Sequence, residues 1–156
     1  MNLPHSQGSQ KDPLNLLIVD DNESDIEITR IVFEGAQIKN KLFALTDTEV
    51  VFDFLDGIGR YQDRQEFPKP DLILLDIRMP KLDGIDLLKK IKAHPIHGKI
   101  PVIMFTSSRH PKDVSDSYSN GASTYLQKPV GYQEFMKMTD HFNAYWQMAA
   151  LERIRE

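Results

Sequence analysis

The sequence predicts a doubly wound α/β domain made of five successive β–α units on one parallel sheet. Short apolar runs alternate strictly with segments of helical spacing, and the connections are too long for hairpins. The runs at Leu16–Val19, Leu72–Leu75 and Val102–Phe105 are apolar throughout rather than alternating, the signature of strands covered on both faces. A length of 156 residues suits one such domain.

The first strand is read at Leu14–Val19, and the first helix runs from Glu23 to Glu34 with Gly35 as its stop. Lys41–Leu45 forms the second strand, and Thr48 to Asp56 a helix closed by Gly57. Asp71–Leu75 is the third strand; the helix from Gly84 to Ala93 carries Ile85, Leu88 and Ile91 on one face before Pro95. Pro101–Phe105 is the fourth strand. Ser108 is a candidate cap for the next helix, with Pro111 in its first turn and Asn120–Gly121 at its end. Ser123–Leu126 is the fifth strand, and its mixed character suits a sheet edge. Strands one, three and four belong in the middle, whereas composition leaves the place of strand two open.

Two segments exceed this minimal plan. Gly57 to Pro70 is a long, charged connector, read as a surface crossing with a binding role as the alternative. The last helix starts near Gly131 or Tyr132. It aligns Phe135, Met138, Phe142, Tyr145, Trp146 and Ala149 on one stripe. Twenty helical residues span ~30 Å against ~17 Å for a five-residue strand, so the Tyr145–Trp146 end should overrun the sheet. The tail or a second chain would then cover it, with a homodimer contact as one outcome. Residues 1–13 are read as a flexible polar tail, 14–146 as the domain, and 147–156 as an extension of the last helix.

A net charge of -4 argues against a nucleic-acid partner held by basic charge, and no DNA contact is expected. The longest apolar runs are far short of the ~18 residues a membrane span requires, and no secretory leader is evident, so a cytoplasmic location is expected. The absence of cysteine removes disulfides, thiolate metal sites and cysteine nucleophiles.

The residues immediately after each strand carry the chemistry. Strand one ends in Asp20-Asp21, strand three in Asp76, strand four in Thr106-Ser107-Ser108, and strand five in Lys128-Pro129. Open parallel sheets place their ligands at the carboxyl ends of strands, so these groups converge on one edge. Three clustered carboxylates repel one another, and a hard divalent cation with oxygen ligands, Mg²⁺, relieves that repulsion. A metal alone does not account for Lys128 and Thr106. A phosphoryl group does, its oxygens held by the ammonium, the hydroxyl and the metal. A carboxylate in that setting can accept the phosphoryl group as an acyl phosphate, and Asp76, on the middle strand of the three, is the candidate. Each element has a plain alternative: Asp20-Asp21 as a turn with a cap, Asp76 as a strand-end turn, Lys128-Pro129 as a solvated loop. The joint pattern at four strand ends favours the site.

The segments Leu17-Ile18-Val19-Asp20-Asp21-Asn22, Leu72-Ile73-Leu74-Leu75-Asp76-Ile77-Arg78-Met79-Pro80, Asp83-Gly84, Val102-Ile103-Met104-Phe105-Thr106-Ser107 and Gly121-Ala122-Ser123-Thr124-Tyr125-Leu126-Gln127-Lys128-Pro129 resemble the receiver domain of bacterial two-component response regulators. The resemblance implies the flavodoxin-like strand order 2-1-3-4-5 and places strand two at an edge. It implies Asp76 as phosphoacceptor and Asp20, Asp21, Asp76 and the Arg78 carbonyl as ligands for Mg²⁺, with Mn²⁺ as the alternative ion. It further implies Lys128 as phosphoryl partner, Thr106 and Tyr125 as switch residues, and Arg78 and Ser108 as residues tuning acyl-phosphate hydrolysis. The expected partner is a sensor histidine kinase or phosphotransfer protein. The signalling surface is helix four, strand five and helix five, which is also the expected homodimer face. The Gly57–Pro70 connector, the approach His94-Pro95-Ile96-His97-Gly98-Lys99-Ile100-Pro101 and the Tyr145-Trp146 end resemble stand-alone regulators that partner phytochrome-type kinases.

A rival reading is a Mg²⁺-dependent phosphohydrolase working through an aspartyl phosphate. It needs an acid/base close to the nucleophile, and Arg78, two residues after Asp76, is not a carboxylate. The acidic Asp20-Asp21-Asn22-Glu23 stretch would repel a flavin phosphate, and no glycine-rich nucleotide loop comes after any strand. His94 and His97 are the only close histidine pair, and Pro95 between them argues against helical presentation to one metal. Only Gln147 to Glu156 lies beyond the receiver-like part, so no DNA-binding output domain is expected, and output is assigned to protein contacts.

Overall fold

The computed structural model describes residues 13–35, 39–131, 133–134 and 136–144. Strand β1 (Leu14–Val19) leads into helix α1 (Glu23–Glu34) and then β2 (Asn40–Leu45). A single 3₁₀ turn, Thr48–Val50, opens into α2 (Val51–Asp56), and β3 is Leu72–Leu75. Helix α3 (Gly84–Ala93), β4 (Val102–Thr106), α4 (Pro111–Ser119) and β5 (Thr124–Gln127) complete the alternation. Residues 133–134 and 136–144 are helical and form α5.

All five strands are parallel, in the order β2-β1-β3-β4-β5. The fold class and order are those expected. The three strands with uninterrupted apolar runs occupy the middle, and β3 and β4 are buried at every position. In β5, by contrast, every residue is partly exposed, as an edge strand should be.

Alternate residues of each strand feed two cores. Leu17, Val19, Ile73, Leu75, Val102 and Met104 pack under α2 and α3. Leu16, Ile18, Leu72, Leu74, Ile103 and Phe105 pack under α1 and α5. Met138 and Phe142, two members of the expected apolar stripe, are buried there, and the Phe142 ring lies 4.7 Å from Phe33 and 5.9 Å from Phe105. Full burial of such a side chain is worth about 2–3 kcal/mol, which seats α5 on the sheet. The polar tail over 1–12, Tyr132, Phe135, the Tyr145–Trp146 end, Ala149 and the 147–156 extension lie outside the described residues.

Two local expectations require correction. Ser108 does not cap α4. Pro111 takes the first helical position, so the residue before it is the cap, and His110 Nδ1 accepts the Lys112 N–H at 3.1 Å. The helix after β2 begins as a 3₁₀ turn because Asp47 caps tightly, accepting the Glu49 N–H at 2.9 Å.

The Gly57–Pro70 connector is tied to the core. Arg64 donates to the carbonyls of Phe54, Leu55 and Phe67 at 2.9, 2.6 and 2.9 Å, so its guanidinium satisfies the last carbonyls of α2. Tyr61 and Phe67 pack edge-on against Phe54 and against each other, with centroids 5.1 to 6.1 Å apart. The surface reading of this segment is therefore incomplete: its tip is polar, but its aromatic rings extend the core.

Candidate functional site

The strand ladder continues one residue past three strand ends, and that fixes the site. Asp20 N–H donates to Leu45 O (3.1 Å), Asp76 N–H to Val19 O (3.1 Å) and Lys128 N–H to Thr106 O (2.8 Å). Each functional side chain thus leaves from backbone already held by the sheet, at its carboxyl edge.

Lys128 Nζ stands at the centre. It lies 2.7 Å from Asp20 Oδ2, 2.7 Å from Asp25 Oδ2 and 3.0 Å from Asp76 Oδ2. Asp76 Oδ1 accepts the Ile77 N–H at 2.8 Å, and Asp20 Oδ1 accepts the Asn22 N–H at 3.0 Å. Oxygens of Asp20, Asp21 and Asp76 all lie within 4.8 Å of one another. Asp20 and Asp76 are buried, whereas Asp21 is exposed, so the cluster has a dry wall and an open side.

Burial raises the Asp20 carboxyl above its ordinary range, against the opposing pull of Lys128 and the Asn22 N–H. Burial also opposes the Lys128 charge, but the close carboxylates of Asp20, Asp25 and Asp76 outweigh it and hold the ammonium well above the lysine range. The contact of Lys128 with Asp20 Oδ2 is close in distance but lacks hydrogen-bond geometry, which leaves that enclosed oxygen without a directed donor. An all-oxygen donor set with an undirected buried lone pair and a solvent-facing side fits a hard divalent cation.

Thr106 ends β4 with its side chain buried, and its Oγ1 accepts the Ser108 N–H at 3.3 Å. Tyr125 O–H donates to the Ser108 carbonyl at 2.8 Å, and burial raises its phenol above the ordinary value. Arg78 and Ser108, far apart in sequence, meet at Asp113: Arg78 Nη2 is 2.6 Å and Ser108 Oγ 2.5 Å from Asp113 Oδ2. The geometry therefore brings Asp20, Asp21, Asp76 and Lys128 into one cluster. Thr106, Ser108, Tyr125 and Arg78 form a second, linked network on the β4–α4 side.

Gly84 explains the Asp83-Gly84 pair. A Cβ at this position would lie 1.8 Å from Asp76 O and 2.8 Å from both Asp76 C and Ile77 Cα. Gly84 N–H donates to Ile77 O at 2.7 Å, and Asp83 caps α3 through the Ile85 N–H at 2.8 Å. The start of α3 is thereby clamped on the backbone of Asp76.

Sequence reasoning missed Asp25 and Asp113. The place of Asp25 in the first turn after the Asn22 cap was a usable signal, because helical side chains tilt towards the N-terminus and so back towards the strand ends. Nothing local marks Asp113, whose partners come from two separate loops.

A second cluster joins Asp56, His94 and His97, with ligand-type atoms within 4.8 Å. The two histidines do not share a helix, but the 3₁₀ turn at His97–Lys99 stacks their rings at 4.1 Å. Even so, His94 Nδ1 accepts the N–H groups of Ile96 and His97, which in the neutral ring puts the proton on Nε2. His97 Nε2 is bonded to Asp56 at 2.6 Å. The donor arrangement is that of a turn, and it does not fit a metal.

This fold, with an acid cluster and a lysine at its carboxyl edge, defines a phosphoryl-responsive receiver. Residues 16–140 match the model of the response regulator receiver domain, and the chain belongs to that family, the phosphorylated module of two-component signalling. Response regulator Rcp1 of Synechocystis sp. is 33% identical over 134 residues, covering 86% of this chain and 89% of that protein. The crystal structure of the Mn²⁺-bound form of Rcp1 superposes with a TM-score of 0.75, covering 86% of this chain and 94% of that one. The phosphorylated cyanobacterial phytochrome response regulator RcpA gives 0.77 at 25% identity, covering 87% and 95%. Family membership sets the phosphohydrolase reading aside. Among the described residues, no helix is long and apolar enough to cross a membrane.

Proposed function

We propose that Asp76 is the phosphoacceptor of this receiver, taking the phosphoryl group from a phosphohistidine of a sensor histidine kinase or phosphotransfer protein. The observation that carries this reading is the seat of Asp76. Its two oxygens are fixed by the Ile77 N–H and the Lys128 ammonium beside two further carboxylates. An Asp76 oxygen attacks phosphorus, the N–P bond breaks, and the donor imidazole takes up a proton as the acyl phosphate forms.

Asp20, Asp21, Asp76 and the Arg78 carbonyl would hold Mg²⁺, with Mn²⁺ as a substitute. Bound there, the ion offsets the charge gathered on the transferring oxygens. Lys128 and the Thr106 hydroxyl take the remaining phosphoryl oxygens. As Thr106 is drawn towards the new dianion, it releases the Ser108 N–H, which loosens the loop that Tyr125 holds through the Ser108 carbonyl. The perturbation reaches the α4–β5–α5 surface, a two-state response biased by one local charge. Arg78 and Ser108, drawn to Asp113, line the approach to the acyl phosphate and tune its intrinsic hydrolysis. The likeness to RcpA, a phytochrome response regulator, supports a phytochrome-type kinase as partner; a cytoplasmic signalling role without DNA contact is part of the same proposal. A homodimer through α4–β5–α5 and the Tyr145–Trp146 end completes the reading.

The test is phosphoryl labelling from a radiolabelled kinase or acetyl phosphate. Wild type should label with Mg²⁺ and lose the label with chelator, and Asp76→Asn should remain unlabelled. Equal labelling of Asp76→Asn would remove Asp76 from this role.

A further inference from the structure

We propose that Asp25 is a positioning residue for Lys128: it holds the ammonium on the α1 side of the site at rest and releases it to an incoming phosphoryl group. This rests on the receiver reading above and deepens it.

A lysine ammonium has three N–H donors and no acceptor. Here two donors go to Asp25 and Asp76, at 2.7 and 3.0 Å, and Asp20 Oδ2 adds a close charge contact at 2.7 Å, so three carboxylates already crowd the ammonium. A phosphoryl oxygen has to enter that crowded space, and a resting contact must be surrendered. Asp20 is the costly choice. Its side chain is 1% exposed and water cannot replace the lost partner. Asp76 carries the phosphoryl group itself. Asp25 is 27% exposed and lies outside the Asp20, Asp21 and Asp76 cluster, so it rehydrates when the ammonium leaves. Its backbone stays fixed meanwhile, since Asn22 Oδ1 accepts the Asp25 N–H (3.1 Å) and the Thr29 hydroxyl donates to the Asp25 carbonyl (2.8 Å). Only the side-chain contact is exchanged. Asp25 therefore competes with phosphate for Lys128 and biases the protein towards its resting form.

Beryllofluoride, a phosphoryl mimic, reads this competition when titrated with Mg²⁺ and monitored by ¹⁹F NMR. Asp25→Asn should bind it about three- to tenfold more tightly than wild type, the scale of one partly exposed ion pair. Asp25→Ala should shift the same way, and Asp25→Glu should stay within about twofold of wild type, because its carboxylate still reaches the ammonium. Glu23→Gln removes a neighbouring charge of α1 that makes no contact with Lys128, and should change little. Unchanged or weaker binding by Asp25→Asn, or equal tightening by Glu23→Gln, would overturn the role of Asp25. Failure of wild type to bind beryllofluoride at all would instead count against the receiver reading.

Discussion

Gly84→Ala should be among the most damaging single-methyl changes in this protein. The added Cβ would sit 1.8 Å from the Asp76 carbonyl oxygen, where unstrained carbon–oxygen contact begins beyond 3 Å. Both colliding partners are backbone, so relief requires the start of α3 and the end of β3 to part by more than an ångström. Overpacking of this kind costs ~1–3 kcal/mol, and the rigidity of both partners places this case at the top of that range. The Gly84–Ile77 hydrogen bond and the Asp83 cap are both placed by the same contact, and each contributes ~1 kcal/mol. Against this stands at most ~1 kcal/mol of improved helix propensity. A net loss of ~2–4 kcal/mol corresponds to a melting temperature lowered by ~5–15 °C in a chain of this size. Gly59→Ala is the comparison: Gly59 has φ +63 with nothing within 4 Å, so alanine there meets only the ~1–2 kcal/mol of a left-handed backbone. Thermal melts of the two variants, with acetyl phosphate labelling of Gly84→Ala, give the answer. Because Asp76 moves with its carbonyl, labelling should slow by at least tenfold. A melt within a degree of wild type with unimpaired labelling would show that the clamp is not a constraint.

Asp20→Asn should raise the melting temperature by ~2–4 °C in the absence of metal while abolishing Mg²⁺-dependent labelling, a trade of activity for stability. The sign comes from burial: the Asp20 carboxyl is raised above 3.8, so its contribution to stability falls as pH rises from that value and is adverse at neutrality. A lowered melt would contradict this. Arg64→Ala frees the Phe54 and Leu55 carbonyls at the end of α2 and the Phe67 carbonyl of the connector, and should cost ~2–3 kcal/mol in urea denaturation, with labelling unaffected. Tyr125 should titrate above its ordinary value of 10.0 in an ultraviolet absorbance titration. Its neutral form is favoured by the fold, so its contribution is intact below that pH and lost as pH climbs through the folded value; Tyr125→Phe should remove this alkaline component.

The parts of the fold legible in the sequence are those set by local periodicity and by the residue types at each strand end. Uninterrupted apolar runs placed β1, β3 and β4 in the middle, and the polar residues just beyond them marked one chemical edge. Asp76 and Lys128 lie at strand ends 52 positions apart, and parallel topology alone brings them within 3.0 Å. Other features depend on packing between segments that carry no shared signal. Arg64 reads as one more charge in a polar connector until α2 is seen to end beneath it. Asp113 sits on α4 with no hint that Arg78 and Ser108 both reach it. His94 and His97 show a partial reading: the proline between them spoke against a shared helix, but the tight turn that stacks the rings was not legible. The role of Gly84 is likewise invisible locally, because the atom it accommodates belongs to Asp76.

The assignment of Asp76 rests on covalent chemistry and can be read chemically. An acyl phosphate at an aspartate is reduced by borohydride to homoserine, whereas an unmodified carboxylate or a phosphate ester is not. Wild-type protein phosphorylated in Mg²⁺, trapped with borohydride and mapped by peptide mass spectrometry should carry homoserine at position 76 and at no other acid. Homoserine at Asp20, Asp21 or Asp25, or label that survives with position 76 unaltered, would contradict the site described here.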